Sequence, residues 1–462
     1  MSLAELFRAR QPAVAIRGVH LDLKGTPPTA DRLVRLLEVF AAARYNAVLV
    51  EWEDTFPWSV DERFRCETAY TPGEVERFHA AAEKLGIEVI PLVQCLGHME
   101  TPLSVPGYER LREVAHHAGV LNPLAEGARE LIEKMVDDVL AATPKLRWFH
   151  LGGDEAWSFG THPDTKAYVE KHGRGALYLH HVEPMLDRLN ACGVRPILWH
   201  DMMRDWDGPS LKRLAEKADL CVWGYRGHPD TTAGHFNTRF IQRFSKHGLG
   251  LWGGTAYKGA SGADADLTDL DIHRENALAW VEVARRFGFA GLFATAWSRY
   301  STHNVHCEMI EASLDSLLHV GVILHDGRPP AGGVDACRAA LAEIGEKERF
   351  DACRAAMEKL SAARQAGWSQ VRMLRQQVVM AELDGRRRSG GGPVTGLSRL
   401  KRCLAEAEAA AEQARAALAG LVEQVWIDRY LAERLQPLRE EIDALAPRVR
   451  QLDPAGCAAA LD

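Results

Sequence analysis

Eight short β-rich segments alternate with helical segments over the first 320 residues of this 462-residue chain. Nearly continuous apolar strands separated by amphipathic helices indicate a parallel sheet, and eight such units are typical of a closed (β/α)8 (TIM) barrel. An open, doubly wound sheet is the alternative, although no glycine-rich nucleotide-binding motif follows a strand. The predicted strands are 14–23, 46–52, 88–94, 147–153, 194–201, 219–225, 250–257 and 290–297.

The last third of the chain has a different composition. All 19 histidines lie at or before His325, and ten of the 12 tryptophans lie before residue 300. Long helical segments follow, rich in Ala, Glu, Arg and Leu, at 334–344, 349–383, 397–425 and 428–445. We therefore predict an α/β fold in which a catalytic barrel (1–325) precedes a C-terminal helical bundle (326–462). The helices either pack on the barrel or form the surface of a homodimer.

Charge, hydropathy and cysteine usage exclude several classes of partner. The net charge of −7 argues against nucleic acid or an anionic membrane, which would need a basic surface. No apolar run approaches the ~18 residues of a membrane span, and the first residues do not resemble a signal peptide. The nine cysteines are scattered and include no CxxC spacing. Free thiols and a cytoplasmic location are the expectation.

Polar and aromatic residues concentrate where the predicted strands end. Catalytic groups of a TIM barrel lie at the C-terminal ends of its strands. One strand-end carboxylate often only caps the next helix, but the same pattern on all eight strands favours a functional site. The residues concerned are Arg17, His20, Asp22, Glu51, Trp52, Glu53, Asp54, Gln94, His98, Asp154, Glu155, Trp199, His200, Asp201, Trp223, Tyr225, Trp252, Tyr257, Trp297, Arg299 and Tyr300.

The adjacent carboxylates Asp154 and Glu155 are the sharpest chemical signal. Neighbouring residues on a strand point to opposite faces, so the backbone must turn if both are to face one ligand. Gly152 and Gly153 permit such a turn. Two carboxylates close together raise at least one pKa, which would place a general acid beside an ionised carboxylate.

Tryptophans near several strand ends suggest an aromatic box, which holds the apolar face of a sugar or a methyl group. Aromatic walls and two carboxylates together favour glycoside hydrolysis. A metal-dependent barrel hydrolase and a non-catalytic sugar-binding barrel are the alternatives. Ligand-type residues for the metal alternative are His98, His150, Asp154, His200 and Asp201, although neither HxH nor HExxH spacing is present.

Seven motifs, in order, resemble the β-N-acetylhexosaminidases of glycoside hydrolase family 20, and within that family the hexosaminidase D-like branch. They are IRGVHLDL, NAVLVEWEDTFPW, PLVQCLGHME, HLGGDE, WHDM, WGY and TAWSRY, and the resemblance covers roughly residues 13–320. It implies a retaining, exo-acting hydrolase of terminal β-linked GlcNAc or GalNAc. In this family the substrate's own 2-acetamido carbonyl attacks the anomeric carbon, so an oxazolinium intermediate forms and no enzyme nucleophile is needed. We expect neither a cofactor nor a metal.

The resemblance also implies residue roles. Asp154 would orient the acetamido group and stabilise the intermediate, and Glu155 would be the general acid and base. Arg17 matches the arginine that binds the sugar's 3- and 4-hydroxyls. The implied supporting and binding positions are His98 and Asp201, the tryptophans Trp199, Trp223, Trp252 and Trp297, and Tyr225 or else Tyr257 for the acetamido oxygen.

One motif departs from the family pattern. Many members have Trp-x-Glu on strand eight, where the glutamate binds the 4- and 6-hydroxyls, but this chain has Arg299 at that position. Glu308, a few residues later, is the expected replacement. The choice between glucosamine and galactosamine substrates therefore stays open.

Overall fold

The computed structural model describes residues 2–384 and 392–461. Eight parallel strands close into a barrel in the order β1-β2-β3-β6-β7-β8-β9-β10, which confirms the predicted (β/α)8 architecture and excludes the open sheet. The strands are β1 (Ile16–Asp22), β2 (Ala47–Glu51), β3 (Glu88–Leu92), β4 (Arg112–Val114), β5 (His117–Leu121), β6 (Trp148–His150), β7 (Arg195–Trp199), β8 (Asp219–Trp223), β9 (Leu251–Lys258) and β10 (Gly291–Ala296).

Helices connect successive barrel strands. Local sequence sets several of their starts: at α3, for example, the Thr71 and Glu74 side chains cap each other's backbone N–H groups, and Pro72 follows the cap. The helices of this part of the chain are α1 (Leu3–Leu6), α2 (Ala30–Ala42), α3 (Pro72–Lys84), α4 (Glu100–Leu103), α5 (Ala128–Ala142), α6 (Pro163–His172), α7 (Arg174–Ala191), α8 (Gly208–Ala215), α9 (Thr238–Lys246), α10 (Leu270–Phe287), α11 (Leu314–Asp326) and α12 (Gly333–Ala340).

Two connections differ from the sequence interpretation. The long loop after β3 contains an antiparallel hairpin of β4 and β5. The single helix expected over 165–192 is two helices, because Gly173 has φ 89° and ψ 159°, which ends α6 and starts α7. A residue in that conformation cannot continue an α-helix.

Side chains fill the barrel interior. Leu49, Ile90, Leu92 and Ile197 pack there with Trp199, and each is at most 2% exposed. The barrel interior is therefore a packed core, and a ligand can enter only at the ends of the barrel.

The described part of the chain after α12 forms three long helices and a short one. They are α13 (Lys347–Asp384), α14 (Gly392–Leu418), α15 (Gln424–Leu452) and α16 (Pro454–Leu461). Leu374, Leu397, Leu400, Leu438 and Val449 are completely buried in the core that these helices share. Within the described ranges, we find no helix that is long and apolar enough to cross a membrane.

The chain divides into Met1–Lys347 and Glu348–Asp462. This boundary lies after α12, whereas the sequence interpretation placed it at residue 325, at the end of α11. The difference has a packing reason: α11 contacts β1, β9 and β10, and α12 contacts both α11 and α1. Both helices therefore complete the barrel unit.

Candidate active site

A cavity of about 480 Å³ opens at the C-terminal end of the barrel. This is the end at which TIM-barrel enzymes carry their catalytic groups. Six of the predicted site residues line it, and they come from the ends of four different strands or the loops that follow. The lining residues are His98, Asp154, Glu155, Trp223, Gly224, Tyr225, Arg226, His235, Phe236, Gly259, Ala260, Trp297 and Tyr300.

The two carboxylates reach the cavity through a strained turn after β6. Gly152, Gly153 and Glu155 have φ values of 57°, 81° and 47°, all in the left-handed region. A non-glycine residue there costs on the order of 1–3 kcal/mol, and such strain is often found at functional sites. The predicted glycine turn is therefore present, and it presents both Asp154 and Glu155 to the same cavity.

His98 lies between the two carboxylates. Its Nε2 is 3.6 Å from Asp154 Oδ2 and 3.5 Å from Glu155 Oε2. Burial disfavours the imidazolium, but the Asp154 and Glu155 carboxylates outweigh burial and raise the pKa of His98 well above 6.5. A positively charged His98 offsets the repulsion between the two neighbouring carboxylates.

Asp154 has one oxygen free for a ligand. The side chain is buried, and its Oδ1 has no hydrogen-bond partner within the described part of the chain. Burial raises the pKa of Asp154, and His98 opposes that rise. A buried oxygen that faces a cavity is well suited to accept a hydrogen bond from a bound N–H or O–H group.

Asp201 connects the acid pair to the aromatic wall. Its Oδ2 accepts a hydrogen bond of 3.0 Å from the Glu155 backbone N–H, and its Oδ1 accepts one of 3.3 Å from Trp223 Nε1. Burial and the nearby Asp154 carboxylate raise the pKa of Asp201 to about 7. Asp201 therefore links the backbone of Glu155 to the Trp223 ring.

Aromatic rings form one wall of the cavity. Trp223 and Tyr225 stack with ring centroids 5.4 Å apart, and Tyr225 meets Trp297 edge to face at 6.4 Å. Trp199 lies beneath this wall in the barrel core, 6.2 Å from Trp297, and does not line the cavity. Three of the predicted tryptophan and tyrosine positions thus form an aromatic surface for a ligand.

The expected sugar contact of Arg17 is wrong. Arg17 is the second residue of β1, at the N-terminal end of the barrel and opposite the cavity. Its guanidinium donates hydrogen bonds of 2.8 to 2.9 Å to the backbone carbonyls of Val14, Ala15 and Arg44. It holds the start of β1 against the turn that precedes β2.

The expected contact of Trp252 is also wrong. It is the second residue of β9, so it lies in the lower core. Its ring packs 5.2 Å from both Trp148 and Phe293, and its Nε1 donates to Asp219.

Tyr257 does not line the cavity either. Its ring is completely buried outside the barrel strands, near Glu311. Burial and the Glu311 carboxylate both raise the pKa of Tyr257. The backbone carbonyl of Tyr257 accepts a hydrogen bond from Ser316 of α11. Tyr225 is therefore the tyrosine that the structure places in the cavity.

Arg299 and Glu308 lie in the loop after β10 and do not line the cavity. The Arg299 guanidinium contacts His306 Nε2 at 2.7 Å and the Thr302 carbonyl at 3.0 Å. Glu308 Oε1 accepts hydrogen bonds from the Gly259 N–H at 2.8 Å and from Ser261 Oγ at 3.1 Å. Both residues hydrogen-bond within the loops around the cavity. The expectation that Glu308 takes the place of the family glutamate in contacting the sugar is therefore wrong.

The sequence interpretation overlooked Lys24, which follows β1. Its ammonium donates to Asp22 Oδ1 at 2.8 Å, lies 3.4 Å from Glu51 Oε1 and stands 5.3 Å from the Trp297 ring centroid. Burial disfavours its charge, but the Asp22 and Glu51 carboxylates hold the pKa of Lys24 above its usual range. Its position two residues after the strand end is the signal that could have found it.

Four residues that do line the cavity were not singled out as ligand contacts: Arg226, His235, Phe236 and Tyr300. They lie in the loops after β8 and β10, where no period in the sequence indicates which side chains turn inward. His235 packs 4.2 Å from Trp223, and Arg226 donates to the Ala260 carbonyl.

The metal alternative gains no support from its own candidates. His150 is buried against Trp199 and accepts from the Gly152 N–H, and burial lowers its pKa to about 3. In residues 2–384 and 392–461, one group could hold an ion, and it contains none of the five candidates: His228, Asp230 and Glu282.

Known proteins match this arrangement. The family model described as "Glycosyl hydrolase family 20, catalytic domain" matches residues 15–237. Hexosaminidase D of Bos taurus is 34% identical over 313 residues, which span 65% of this chain and 90% of that protein. The chain belongs to glycosyl hydrolase family 20. Hexosaminidase D of Homo sapiens is 32% identical to this family 20 chain, over 65% of the chain and 64% of the human protein.

Solved structures show the same fold. A β-N-acetylhexosaminidase from Bacteroides fragilis superposes with a TM-score of 0.55 at 17% identity, covering 72% of each chain. The Flavobacterium johnsoniae chitobiase gives a TM-score of 0.55 at 15% identity, covering 96% of this family 20 chain and 73% of its own.

Proposed function

We propose that this family 20 chain is a retaining, exo-acting β-N-acetylhexosaminidase that uses the 2-acetamido group of its substrate as the nucleophile. The observation that carries the proposal is the pair Asp154 and Glu155 on one cavity wall, with His98 between them. The relatives named hexosaminidase D support the substrate class.

Asp154 is assigned to the acetamido group. Its unpartnered Oδ1 is available to accept the acetamido N–H, which turns the carbonyl oxygen toward the anomeric carbon. As the carbonyl oxygen attacks, positive charge develops on the oxazolinium ring, and an ionised Asp154 stabilises it. Intramolecular attack gains from the high effective molarity of a group already held in place.

Glu155 is assigned to proton transfer. Its carboxyl is one-third exposed at the cavity, so it can reach both a glycosidic oxygen and a water molecule. It donates a proton to the leaving oxygen in the first step and removes one from water in the second. Water then opens the oxazolinium ring from the face that the aglycone left, which retains the β configuration.

The aromatic wall is assigned to the sugar. Trp223, Tyr225 and Trp297 present apolar faces that suit the acetamido methyl group and the sugar ring. The Tyr225 hydroxyl is the candidate donor to the acetamido carbonyl. Because neither Arg299 nor Glu308 lines the cavity, we assign neither of them to the choice between the two configurations at the sugar's C4.

The test compares the 4-nitrophenyl β-glycosides of N-acetylglucosamine, N-acetylgalactosamine and glucose at matched concentrations. We expect release from both acetamido sugars and little from glucose, which lacks the internal nucleophile. Equal release from glucose would contradict the assisted mechanism. Binding of acetamido sugars without turnover would instead support the non-catalytic sugar-binding barrel.

A further inference from the structure

The turn that carries the two carboxylates is held by side chains from other parts of the barrel end. Gly152 N–H donates to His150 Nδ1 at 2.9 Å, Gly153 N–H donates to Gln94 Oε1 at 3.2 Å, and the Glu155 N–H donates to Asp201. Left-handed backbone conformations persist only where the surroundings enforce them. These three acceptors therefore decide where the carboxylates point.

Gln94 differs from the other two acceptors because it belongs to a second buried network. Its Nε2 donates to Glu51 Oε1 at 3.1 Å. Glu51 also lies 3.4 Å from Lys24 Nζ and 3.3 Å from His20 Nε2, and all of these side chains are buried. Although burial favours the neutral acid, Lys24 and His20 hold the pKa of Glu51 well below its usual range.

The two partners of Gln94 fix the orientation of its amide. Glu51 is ionised and can only accept, so the NH₂ group must face it. The Gly153 backbone nitrogen can only donate, so the amide oxygen must face the turn. An ionised glutamate at this position would lack the donor and would bury a second charge beside Glu51.

The amide also packs directly against the turn. A Cβ atom at Gly152 would lie 1.9 Å from Gln94 Oε1, so the glycine leaves room for this contact. A movement of the Gln94 amide is therefore transmitted to the backbone that precedes both carboxylates.

We propose that Gln94 is a positioning residue for the hydrolytic reaction: its amide connects the Glu51–Lys24 network to the Gly153 N–H and so aims Asp154 and Glu155 at the substrate. This inference rests on the proposed function. Nothing requires Gln94 to touch the sugar, since it does not line the cavity.

The test uses isosteric exchanges. In Gln94→Glu, one carboxylate oxygen can still accept from Gly153, but the other faces the Glu51 carboxylate. Because both carboxyls are buried, the one at position 94 either moves or takes up a proton, and in the protonated form it can donate to Glu51 as the amide does. Gln94→Glu alone therefore does not decide the question, and Gln94→Met, which removes the acceptor and adds no titratable group, is the deciding single variant. In the double variant Glu51→Gln/Gln94→Glu, the amide introduced at position 51 can donate to the carboxylate introduced at position 94, and Gly153 keeps an acceptor. Gln242→Glu, on the exposed surface of α9, controls for an added charge.

We expect Gln94→Met to lower kcat about 100-fold with little change in KM, since a misplacement of about 1 Å costs this much. The double variant should recover at least tenfold of that loss, and Gln242→Glu should match the wild type. Should Gln94→Met not fold, Gln94→Asn tests the same point, because its shorter side chain cannot reach both Glu51 and Gly153. Thermal unfolding identifies which variants are folded.

Three results would overturn the proposal: an unchanged kcat in folded Gln94→Met or Gln94→Asn, a double variant no better than Gln94→Met, or a loss that appears wholly in KM. Failure of the proposed function is seen separately. In that case the wild-type chain itself releases nothing from N-acetylhexosaminides, before any variant is compared.

Discussion

The two ends of the barrel use the same residue types for different purposes. At the C-terminal end, Asp154 and Trp223 line a cavity, and one oxygen of Asp154 has no described partner. At the N-terminal end, Asp219 accepts from Arg195 at 2.9 Å and from Trp252 Nε1 at 3.1 Å, so each of its oxygens is used. Arg17 likewise donates from Nε and Nη1 to three backbone carbonyls.

This difference shows that unpaired polar groups beside a cavity indicate a functional site, whereas fully paired ones indicate a structural role. Polar groups at the N-terminal end are paired with one another and stabilise the fold. At the C-terminal end, strain and an incompletely paired carboxylate persist beside a cavity, which is typical of a site prepared for a ligand. Substitutions at the two ends should therefore separate activity from stability.

The largest expected effect is that of Glu155→Gln. Removing the proton donor should lower kcat/KM for a disaccharide, which has a poor leaving group, by about 10²–10⁴-fold. A nitrophenyl glycoside should lose less, because its leaving group needs little protonation. Steady-state kinetics with both substrates measures the contrast, and equal losses on the two would remove Glu155 from the role of acid.

The second prediction pairs Asp154→Asn with Asp219→Asn. The first should lower kcat about 10²–10³-fold on every N-acetyl substrate, because it removes charge stabilisation of the intermediate. The second should leave kcat of the folded protein unchanged and lower the free energy of unfolding by about 1 kcal/mol, because it removes the charge from a half-buried hydrogen-bonded group. If Asp219→Asn lost activity as Asp154→Asn does, the distinction between the two ends would be refuted.

The third prediction pairs Trp223→Phe with Trp252→Phe. Trp223→Phe loses part of the cavity wall and the hydrogen bond to Asp201, so kcat/KM should fall on the order of tenfold. Trp252→Phe leaves a gap in the lower core and should instead lower the free energy of unfolding by about 1–3 kcal/mol. Urea unfolding and kinetics on the same samples check both, and a reversed pattern would argue against our placement of the rings.

The smallest effect is a dependence of stability on pH. Burial lowers the pKa of His150 and of His200 to about 3, below the unfolded value near 6.5. Both are neutral in the fold, so stability is greatest above pH 6.5 and falls as the unfolded chain takes up protons at lower pH. We expect a slope on the order of 1 kcal/mol per pH unit for each histidine below about pH 6.

Urea unfolding between pH 7 and pH 4.5 measures this slope. His200→Gln should reduce it, whereas Trp252→Phe, which changes no ionisable group, should leave it as in the wild type. A slope that His200→Gln does not alter would show that His200 is not the neutral, buried group described here.

Sequence patterns predicted the barrel and the core of its site for physical reasons. Strand and helix periods are local, so all eight strands could be placed. The glycines before Asp154 and Glu155 indicated the turn, because few other residues adopt left-handed backbone conformations. His98 and Asp201 followed from the family resemblance.

The incorrect or missed residue assignments share one cause, the geometry of strands and loops. Arg17 and Trp252 were judged by membership of a strand, but their roles depend on which end of that strand they occupy. Tyr257 was judged by its strand end, but alternation along the strand directs it away from the cavity. Lys24 and His235 lie in loops, whose path depends on contacts distant in sequence.

The most direct test of the central claim varies the proposed nucleophile itself. Rates are measured for 4-nitrophenyl β-glycosides of glucosamine whose N-acyl group is acetyl, fluoroacetyl, difluoroacetyl or trifluoroacetyl. Each fluorine withdraws electrons from the carbonyl oxygen that attacks the anomeric carbon. We predict that kcat/KM falls steadily along the series. A rate that does not change with fluorine content would mean that a group of the enzyme attacks instead, and would contradict the assisted mechanism.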